Sequence, residues 1–461
     1  MLFSSLIFLF GFLPVFLLVY FVVPKKGKNL VLFLSSLFFY AWGEPIYIFL
    51  MLFNASVDYL AGRLIERYEE HPAAKKAALL LSLVVNLSML GFFKYADFFI
   101  GSLNNWFGFD LKLLNVALPI GISFYTFQTM SYTIDRYRGR IKTQKNLIAF
   151  GAYVASFPQL IAGPIVTYAE VEKELTNRKV DFDGFGDGVE RFTEGLAKKV
   201  LLANSLGMVW SQVKALPAGE LPVLTAWLGI LAFAFQIYFD FSGYSDMAIG
   251  LGRMMGFHFP ENFKYPYLSK SATEFWQRWH ITLGSWFREY VYIPLGGNRK
   301  GKIKTLRNLL IVWFLTGLWH GASWNFIFWG LYFGMLLVLE RSFLKRWLEK
   351  LPSIVSHGYL ILVVLIGWVF FELVDMSQAF SYLGAMFGMG ASGAANSQSW
   401  YLLKENALFF IVASLFSTPL MGRLKKRLPE GVKYLVYTVM LLLCIAYLVD
   451  ATFNPFLYFR F

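Results

Sequence analysis

The chain contains 461 residues, of which 57% are hydrophobic and only 15% are charged. A soluble domain of this length needs more charge to cover its surface, so the composition excludes an ordinary soluble protein and is typical of a polytopic membrane protein. The net charge of +13 falls in short loops between apolar segments, which indicates cytoplasmic loops rather than a nucleic-acid-binding face. The single cysteine, Cys444, excludes internal disulfides and argues against a cysteine-based metal site.

The N-terminal part of the chain is predicted to form the first membrane helices. No positive residue precedes the apolar run 1–23, and Lys25, Lys26 and Lys28 follow it, so we expect an uncleaved span that enters with its N-terminus outside. Further apolar runs predict spans at 30–43, 45–62, 78–93 and 116–134.

The middle of the chain alternates apolar runs with basic loops. The loop 136–145 is strongly basic and is expected to be cytoplasmic. Residues 146–162 lie between this loop and a second polar segment, so we interpret them as re-entrant or interfacial. Spans are then predicted at 196–212 and 221–252, and a largely polar block follows at 253–308.

Residues 309–338 form an apolar run of membrane-spanning length that polar and small residues interrupt at its centre. The interrupting residues are Gly317, His320, Gly321, Ser323 and Asn325. Polar groups in hydrocarbon cost free energy unless they have partners or water, so this segment is predicted to line a polar cavity. Because both flanks are basic, we expect two half-helices that enter and return as a hairpin open to the cytoplasm.

The last spans are predicted at 354–375, 406–422 and 434–450, which brings the number of full crossings to about ten. Both termini then lie outside the cell. Under this topology only five of the 42 Lys and Arg residues lie outside, as the positive-inside rule requires. We expect one integral-membrane domain over 1–461, with peripheral spans at 1–115, a catalytic core at about 116–340, spans at 354–450 and an external tail at 451–461.

Two of the five histidines, His280 and His320, follow a tryptophan within polar-interrupted segments. A neutral imidazole in a membrane cavity can take a proton from a hydroxyl group, so both are candidate catalytic residues. The alternative is a histidine that is hydrogen-bonded between helices. The sequence contains neither a Ser-His-Asp order nor an HExxH spacing, and we therefore predict no hydrolase triad and no metal site.

A Gly-Gly turn beside basic residues suggests a site for a phosphorylated ligand that arrives from the cytoplasm. Glycines allow close approach to backbone amides, and neighbouring basic side chains suit phosphate. The candidate binding residues are Arg288, Gly296, Gly297, Asn298 and Arg299. The alternative is an ordinary positive-inside loop.

Two carboxylates, Asp240 and Asp246, lie in the apolar span 221–252. Intramembrane carboxylates usually mark a pathway or pair with a cation, so we expect both to face the interior. They either contact the substrate or brace Arg278 or Arg288, and we expect bracing.

Several segments together resemble the membrane-bound O-acyltransferases, in particular the branch that O-acetylates alginate and peptidoglycan. The resembling segments are PIGISFYTFQTMSYTIDRYRG (119–139), FPQLIAGPIV (157–166), GLAKKVLLAN (195–204), YFDFSGYSDMAIGLG (238–252), WQRWHITLGSWFREYVYIPLGGNR (276–299) and LWHGASWNFIFWG (318–330). The resemblance implies an all-α membrane fold with re-entrant or interfacial helices around a central funnel. It also implies His320 as the catalytic histidine and His280 as the second polar residue of the site.

The resemblance further implies that acetyl-CoA binds from the cytoplasm as a substrate, without a permanently bound cofactor, and that His320 acts as general base. The ending FNPFLYFRF (453–461) is similar to the FLYxxF ending of a small partner peptide in teichoic-acid D-alanylation. By that similarity Tyr458 is a candidate acetyl carrier on the outer side. The alternative is an aromatic anchor at the membrane interface.

The function that we expect is transfer of acetyl across a bacterial cytoplasmic membrane for O-acetylation of an alginate-like polysaccharide or a cell-wall glycan. The expected partners are the lipid bilayer and an extracytoplasmic acetyltransferase of the SGNH-hydrolase type, with no nucleic acid. The alternatives are a transporter or flippase of a lipid-linked sugar, and a family member that acylates a protein or teichoic acid.

Overall fold

The structure is a computed structural model that describes residues 1–450 together with 456 and 457. Its described residues form helices and loops and no strand, which confirms the predicted all-α class. The chain divides into two compact units. The first comprises Met1–Phe192 and Tyr244–Pro260, and the second comprises Thr193–Gly243 and Glu261–Phe461. Two helices, α10 (Phe182–Ala197) and α12 (Val223–Met255), contribute residues to both units.

The first unit contains nine helices before α10, several of them with recognisable start signals. Asn146 caps the helix that follows it by accepting from the Ala149 amide, and Thr167 with Glu170 forms a capping box. The nine helices are α1 (Leu13–Val22), α2 (Lys28–Ala41), α3 (Ile48–Arg67), α4 (Pro72–Leu90), α5 (Ala96–Phe107), α6 (Ile122–Tyr137), α7 (Leu147–Ala155), α8 (Phe157–Leu160) and α9 (Tyr168–Asn177).

A buried polar cluster joins α3, α4 and α6 in the first unit. Its centre is Asp58 of α3, which is fully buried and accepts hydrogen bonds from Ser82, Asn86 and Thr133. Asn54 extends the cluster through its bonds with Asn86 and Thr129. Hydrogen bonds between neutral side chains and one carboxylate therefore hold these three apolar helices together.

The second unit contains the remaining helices, which surround an aromatic core. The helices are α11 (Asn204–Lys214), α13 (Ala272–Arg278), α14 (Ile281–Phe287), α15 (Lys302–His320), α16 (Trp324–Leu339), α17 (Lys345–Leu348), α18 (Ser353–Glu372), α19 (Met376–Met386), α20 (Ser397–Phe416), α21 (Leu420–Lys425) and α22 (Glu430–Asp450). The largest contributions to this core come from α12 and α18.

Helices α15 and α16 form the hairpin that the interrupted apolar run predicted. The break is the short segment 321–323, between His320 and Trp324. The two helices approach very closely, since a Cβ at Gly317 would collide with the Phe326 carbonyl oxygen and a Cβ at Gly330 would collide with the Trp313 carbonyl oxygen. Only glycine permits this contact. With 19 and 16 residues the helices are longer than the expected half-helices, because α15 already starts at Lys302.

Six of the described helical segments are long and apolar enough to cross a membrane, which agrees with a multi-pass membrane protein. They are Ile48–Arg67, Pro72–Phe107, Val223–Met255, Trp324–Leu348, Ser353–Glu372 and Glu430–Asp450. Residues 146–162 form two helices of nine and four residues, too short to cross. The total of ten crossings, the orientation and the single-domain organisation stay predictions.

Candidate active site

His320 is the last residue of α15, and aromatic rings enclose its side chain. It is buried, and the rings of Trp319, Trp329 and Phe371 stand edge-on to the imidazole at centroid distances of 5.0, 4.9 and 5.3 Å. Since α15 ends here, the backbone leaves the helix at the residue that carries the imidazole. The hairpin break therefore presents a titratable group within an apolar, aromatic wall.

His280 lies just before α14 in a strained backbone conformation. Its φ is +46°, a left-handed value that a residue with a side chain rarely adopts, and such strain persists where the surroundings impose it. Its Nδ1 lies 3.1 Å from Oδ1 of Asn262, which also accepts from the amide and the hydroxyl of Thr282. Because this oxygen only accepts, Nδ1 of His280 carries the proton and Nε2 is the acceptor nitrogen of the ring. Burial lowers the pKa of the His280 imidazole from 6.5 to about 3, which keeps the ring neutral.

The two candidate histidines flank one tryptophan. The ring of Trp319 has a centroid 5.8 Å from the ring of His280 and 5.0 Å from the ring of His320. Phe241 of α12 packs edge-on against His280 at 4.7 Å. The structure thus brings together the two residues that the sequence analysis paired, and it does so within a single unit.

The Gly-Gly turn lies in a loop next to the start of α15, in which Gly297 is buried and Asn298 and Arg299 are exposed. Gly296 and Gly297 have φ values of +108° and +53°, which favour glycine. Asn298 accepts from Tyr292 and from Arg341, and these contacts do not join it to either histidine. The side chains of Arg288 and Arg299 are exposed. Whether this loop binds acetyl-CoA stays a prediction.

The expectation that Asp240 and Asp246 brace Arg278 or Arg288 is wrong. Asp246 pairs with Arg191, at 2.7 Å, in the first unit. Arg278 pairs instead with Glu274, at 2.7 Å, one helical turn away in sequence.

Asp240 has a partner that the sequence analysis did not identify. It pairs with Lys199 at 2.6 Å, and both side chains are about 97% buried. Nζ of Lys199 also donates to Oδ1 of Asn204 at 3.0 Å. No spacing rule relates these residues, because helix packing alone brings them together.

The C-terminal tail enters the core of the second unit beside this ion pair. Phe456 and Leu457 are buried, the amide of Leu457 donates to Oδ2 of Asp240 at 3.0 Å, and the ring of Phe456 lies 5.9 Å from Nζ of Lys199. Tyr458 lies outside the described residues. Its role as acyl carrier stays a prediction.

A cavity of about 240 Å³ adjoins the tail. Its lining residues are Trp210, Ser211, Lys214, Ala215, Gln236, Glu372 and Leu457. Glu372 accepts from Lys214 at 2.7 Å and from Trp210 at 3.2 Å. Gln236 is 4% exposed and its Oε1 has no hydrogen-bond donor among the described residues. Glu372 directly follows Phe371, so consecutive residues of α18 line the cavity and contact the ring of His320.

Glu340 is a second position that the sequence analysis missed. It is 1% exposed and accepts from the amides of Ala272 and Thr273 at 2.7 and 2.8 Å. A carboxylate at these first amides stabilises the start of α13, which ends just before Trp279 and His280. In the sequence, the only indication of Glu340 was a single acidic residue directly after the apolar run of α16. We infer that Glu340 positions the segment that carries His280.

Comparison with known proteins identifies the family of this chain. The family model of the membrane-bound O-acyltransferases (MBOAT) matches residues 137–371. The chain is 45% identical to the probable alginate O-acetylase AlgI of Pseudomonas putida, over 85% of this chain and 81% of that protein. It is 35% identical to the peptidoglycan O-acetyltransferase of Helicobacter pylori, over 84% and 80%. It is also 27% identical to the teichoic acid D-alanyltransferase of Bacillus subtilis, over 55% and 66%.

The residues matched by the family model include both histidines, the hairpin and α12, and the family is the one that the motifs resemble. The chain belongs to the membrane-bound O-acyltransferase family.

Proposed function

We propose that this protein is an acetyl-CoA-dependent membrane O-acetyltransferase that passes acetyl groups across the membrane for O-acetylation of an extracytoplasmic polysaccharide. The observation that carries the proposal is the imidazole of His320, buried at the break of an apolar hairpin with His280 on the other side of Trp319. The similarity to proteins named as alginate O-acetylase and peptidoglycan O-acetyltransferase supports the acetyl group and the polysaccharide acceptor.

In the proposed reaction His320 is the general base. It takes the proton of an acceptor hydroxyl as the oxygen attacks the thioester carbonyl, and that proton then leaves with the sulfur of CoA. His280 stays neutral, so Nε2 of its ring can accept a hydrogen bond within the site. The aromatic rings around His320 limit the access of water, which would otherwise hydrolyse the thioester.

The loop of Arg288, Gly296, Gly297, Asn298 and Arg299 is the proposed entrance for acetyl-CoA. Arg288, Asn298 and Arg299 are exposed. The amides of Gly296 and Gly297 donate within the turn, to the carbonyl oxygens of Ile293 and Tyr292, so the exposed side chains would supply the contacts with an anion. Basic side chains here suit the phosphates of CoA. CoA is a substrate in this scheme and no permanent cofactor is required.

On the extracytoplasmic side of the membrane, the C-terminal tail supplies the proposed acetyl carrier, Tyr458. Asp240 and Lys199 hold Phe456 and Leu457, the two residues before Tyr458. Leu457 directly precedes Tyr458 in sequence, and this neighbour supports the proposal that the Tyr458 hydroxyl is the first acceptor. Tyr458→Phe removes only the hydroxyl, so we expect this variant to stop polymer acetylation; normal acetylation would exclude the carrier role.

The proposed setting is the bacterial cytoplasmic membrane, with both termini outside. An extracytoplasmic acetyltransferase of the SGNH-hydrolase type then moves the acetyl group from this protein to the polymer. Alginate-like exopolysaccharide and cell-wall glycan are the acceptor classes, in line with the two relatives. Tests with polymer therefore require this partner, whereas the first half-reaction requires only the purified chain.

The decisive experiment measures release of CoA from acetyl-CoA by the purified protein. We expect His320→Ala to lower the rate by about 10²- to 10⁴-fold, the usual contribution of a general base. His71→Ala is the matched control because His71 is exposed on the first unit. An unchanged rate for His320→Ala would overturn the proposed function. Competition between acetyl-CoA and long-chain acyl-CoA in the same assay separates acetyl transfer from protein lipidation.

A further inference from the structure

Trp329, on α16, lies against the proposed catalytic histidine. Its side chain is fully buried, and its ring contacts the ring of His320 at a centroid distance of 4.9 Å and an angle of 80°. It also contacts Phe371 at 5.2 Å. The indole carries one polar atom, Nε1, which can donate a hydrogen bond but cannot accept one.

The Nε1–H of Trp329 has no acceptor among the described residues. Two other tryptophans of the second unit have an acceptor. Trp368 donates to the Tyr267 hydroxyl at 3.2 Å, and Trp227 donates to the Met386 carbonyl at 2.7 Å. A buried donor without an acceptor lowers the stability of the folded protein. A ligand that brings an oxygen to this position would offset that loss.

Trp276 shares the property, since its Nε1 also has no acceptor among those residues and its ring packs on Trp329 at 5.4 Å. Trp329 is the better placed of the two to act on a substrate, because its ring contacts His320 directly. In the proposed reaction, His320 deprotonates the hydroxyl that attacks the acyl group. The carbonyl of the acyl group must therefore lie close to this imidazole.

We propose that Nε1–H of Trp329 donates a hydrogen bond to the carbonyl oxygen of the acyl thioester and stabilises the negative charge that develops on it. This inference rests on the proposed function. When the acceptor oxygen forms its bond to the carbonyl carbon, the electron pair moves onto the carbonyl oxygen. When the C–S bond breaks, the pair returns and the thiolate leaves with the proton that His320 took.

The surroundings strengthen such a hydrogen bond. Trp329 packs among Trp276, Phe333, Trp368 and Phe371, so little water competes for the oxyanion. The packing also fixes the direction of the N–H before substrate binds. A donor that does not reorganise is the arrangement by which oxyanion sites act.

The test compares two tryptophans of the second unit, Trp329 and Trp227, of which only Trp227 has an acceptor for Nε1 among the described residues. Trp→Phe removes the same atoms from each. For Trp329→Phe we expect kcat for CoA release to fall about 10²- to 10³-fold with little change in KM, because the lost bond acts in the transition state. For Trp227→Phe we expect lower thermal stability, because the Met386 carbonyl loses a donor, and a nearly normal kcat per folded molecule.

A second variant separates the N–H from the size of the ring. Replacing Trp329 by benzothienylalanine keeps the shape and substitutes sulfur for N–H, so we expect the fall in kcat with normal thermal stability. Normal kcat in this variant would overturn the inference. If His320→Ala abolishes turnover while the benzothienylalanine variant keeps it, the proposed function stands and only the role of Trp329 fails.

Discussion

Two buried polar centres of this protein use their hydrogen-bonding groups in opposite ways. Around Asp58, in the first unit, each polar side chain has a partner within the cluster. The single carboxylate of Asp58 accepts three hydrogen bonds, from Ser82, Asn86 and Thr133. Around His320, in the second unit, the Nε1 of Trp329 and the Nε1 of the adjoining Trp276 lack acceptors among the described residues.

This difference distinguishes polar groups that stabilise the fold from polar groups that can bind a ligand. A saturated cluster holds helices in register and has no capacity left for a ligand. A centre with unsatisfied donors and acceptors costs stability in the free protein, and binding of substrate recovers that cost. Substitutions in the two units test this distinction, starting with the largest expected effect on stability.

Asp58→Ala breaks the saturated centre. Ser82, Asn86 and Thr133 lose their acceptor, and each buried donor left unsatisfied costs about 1 to 3 kcal/mol. We therefore expect a loss of about 3 to 6 kcal/mol in the free energy of unfolding, measured by thermal or chemical denaturation in detergent. CoA release per folded molecule should stay normal. A stable variant that has lost activity would contradict the structural assignment.

Asp240→Asn tests the ion pair that holds the C-terminal tail. It leaves the charge of Lys199 buried without its partner, which costs about 3 to 5 kcal/mol. The double variant Asp240→Leu with Lys199→Met removes both charges and should recover most of this stability. It does not restore the acceptor for the Leu457 amide, so polymer acetylation through the tail should remain impaired. Full recovery of acetylation would contradict the positioning role.

Gly330→Ala tests the contact between the two helices of the hairpin. A Cβ there would collide with the Trp313 carbonyl oxygen, so we expect a loss of about 1 to 3 kcal/mol from overpacking and a displaced His320. Gly358→Ala is the matched control, because a Cβ added at this helical glycine would have nothing within 4 Å of it. The control should be neutral or slightly stabilising.

Acidification tests the neutral state of His280. Since its pKa is lowered from 6.5 to about 3 in the folded protein, the unfolded chain binds more protons between these values. Stability should therefore fall as the pH drops below 6.5, by about 1.4 kcal/mol per pH unit at most. His280→Gln removes this titration, so its stability should depend less on pH; an identical pH dependence would contradict the assignment.

The hairpin and both histidines were predictable from sequence because each signal is local. Gly317 and His320 interrupt an apolar run, and such an interruption has few structural explanations in a membrane. The length of α15 was underestimated, because its first turns, from Lys302, carry basic residues that were assigned to the loop.

The partners of buried groups were not predictable. Asp240 was expected to brace Arg278 or Arg288, but it pairs with Lys199, and only the packing of α12 in the second unit decides between such candidates. Trp329 and Trp368 look alike in sequence, yet only Trp368 has an acceptor among the described residues. Whether a buried donor is satisfied depends on long-range geometry, which composition and periodicity do not encode.

The most direct test of the central claim follows the two halves of acetyl-CoA across a membrane. The protein is reconstituted in sealed vesicles that contain hydroxylamine, and acetyl-CoA labelled separately in its acetyl group and in CoA is added outside. We predict that the acetyl label appears inside as acetohydroxamate while the CoA label stays outside, and that His320→Ala stops this transfer. Entry of both labels together would indicate a transporter and contradict the account.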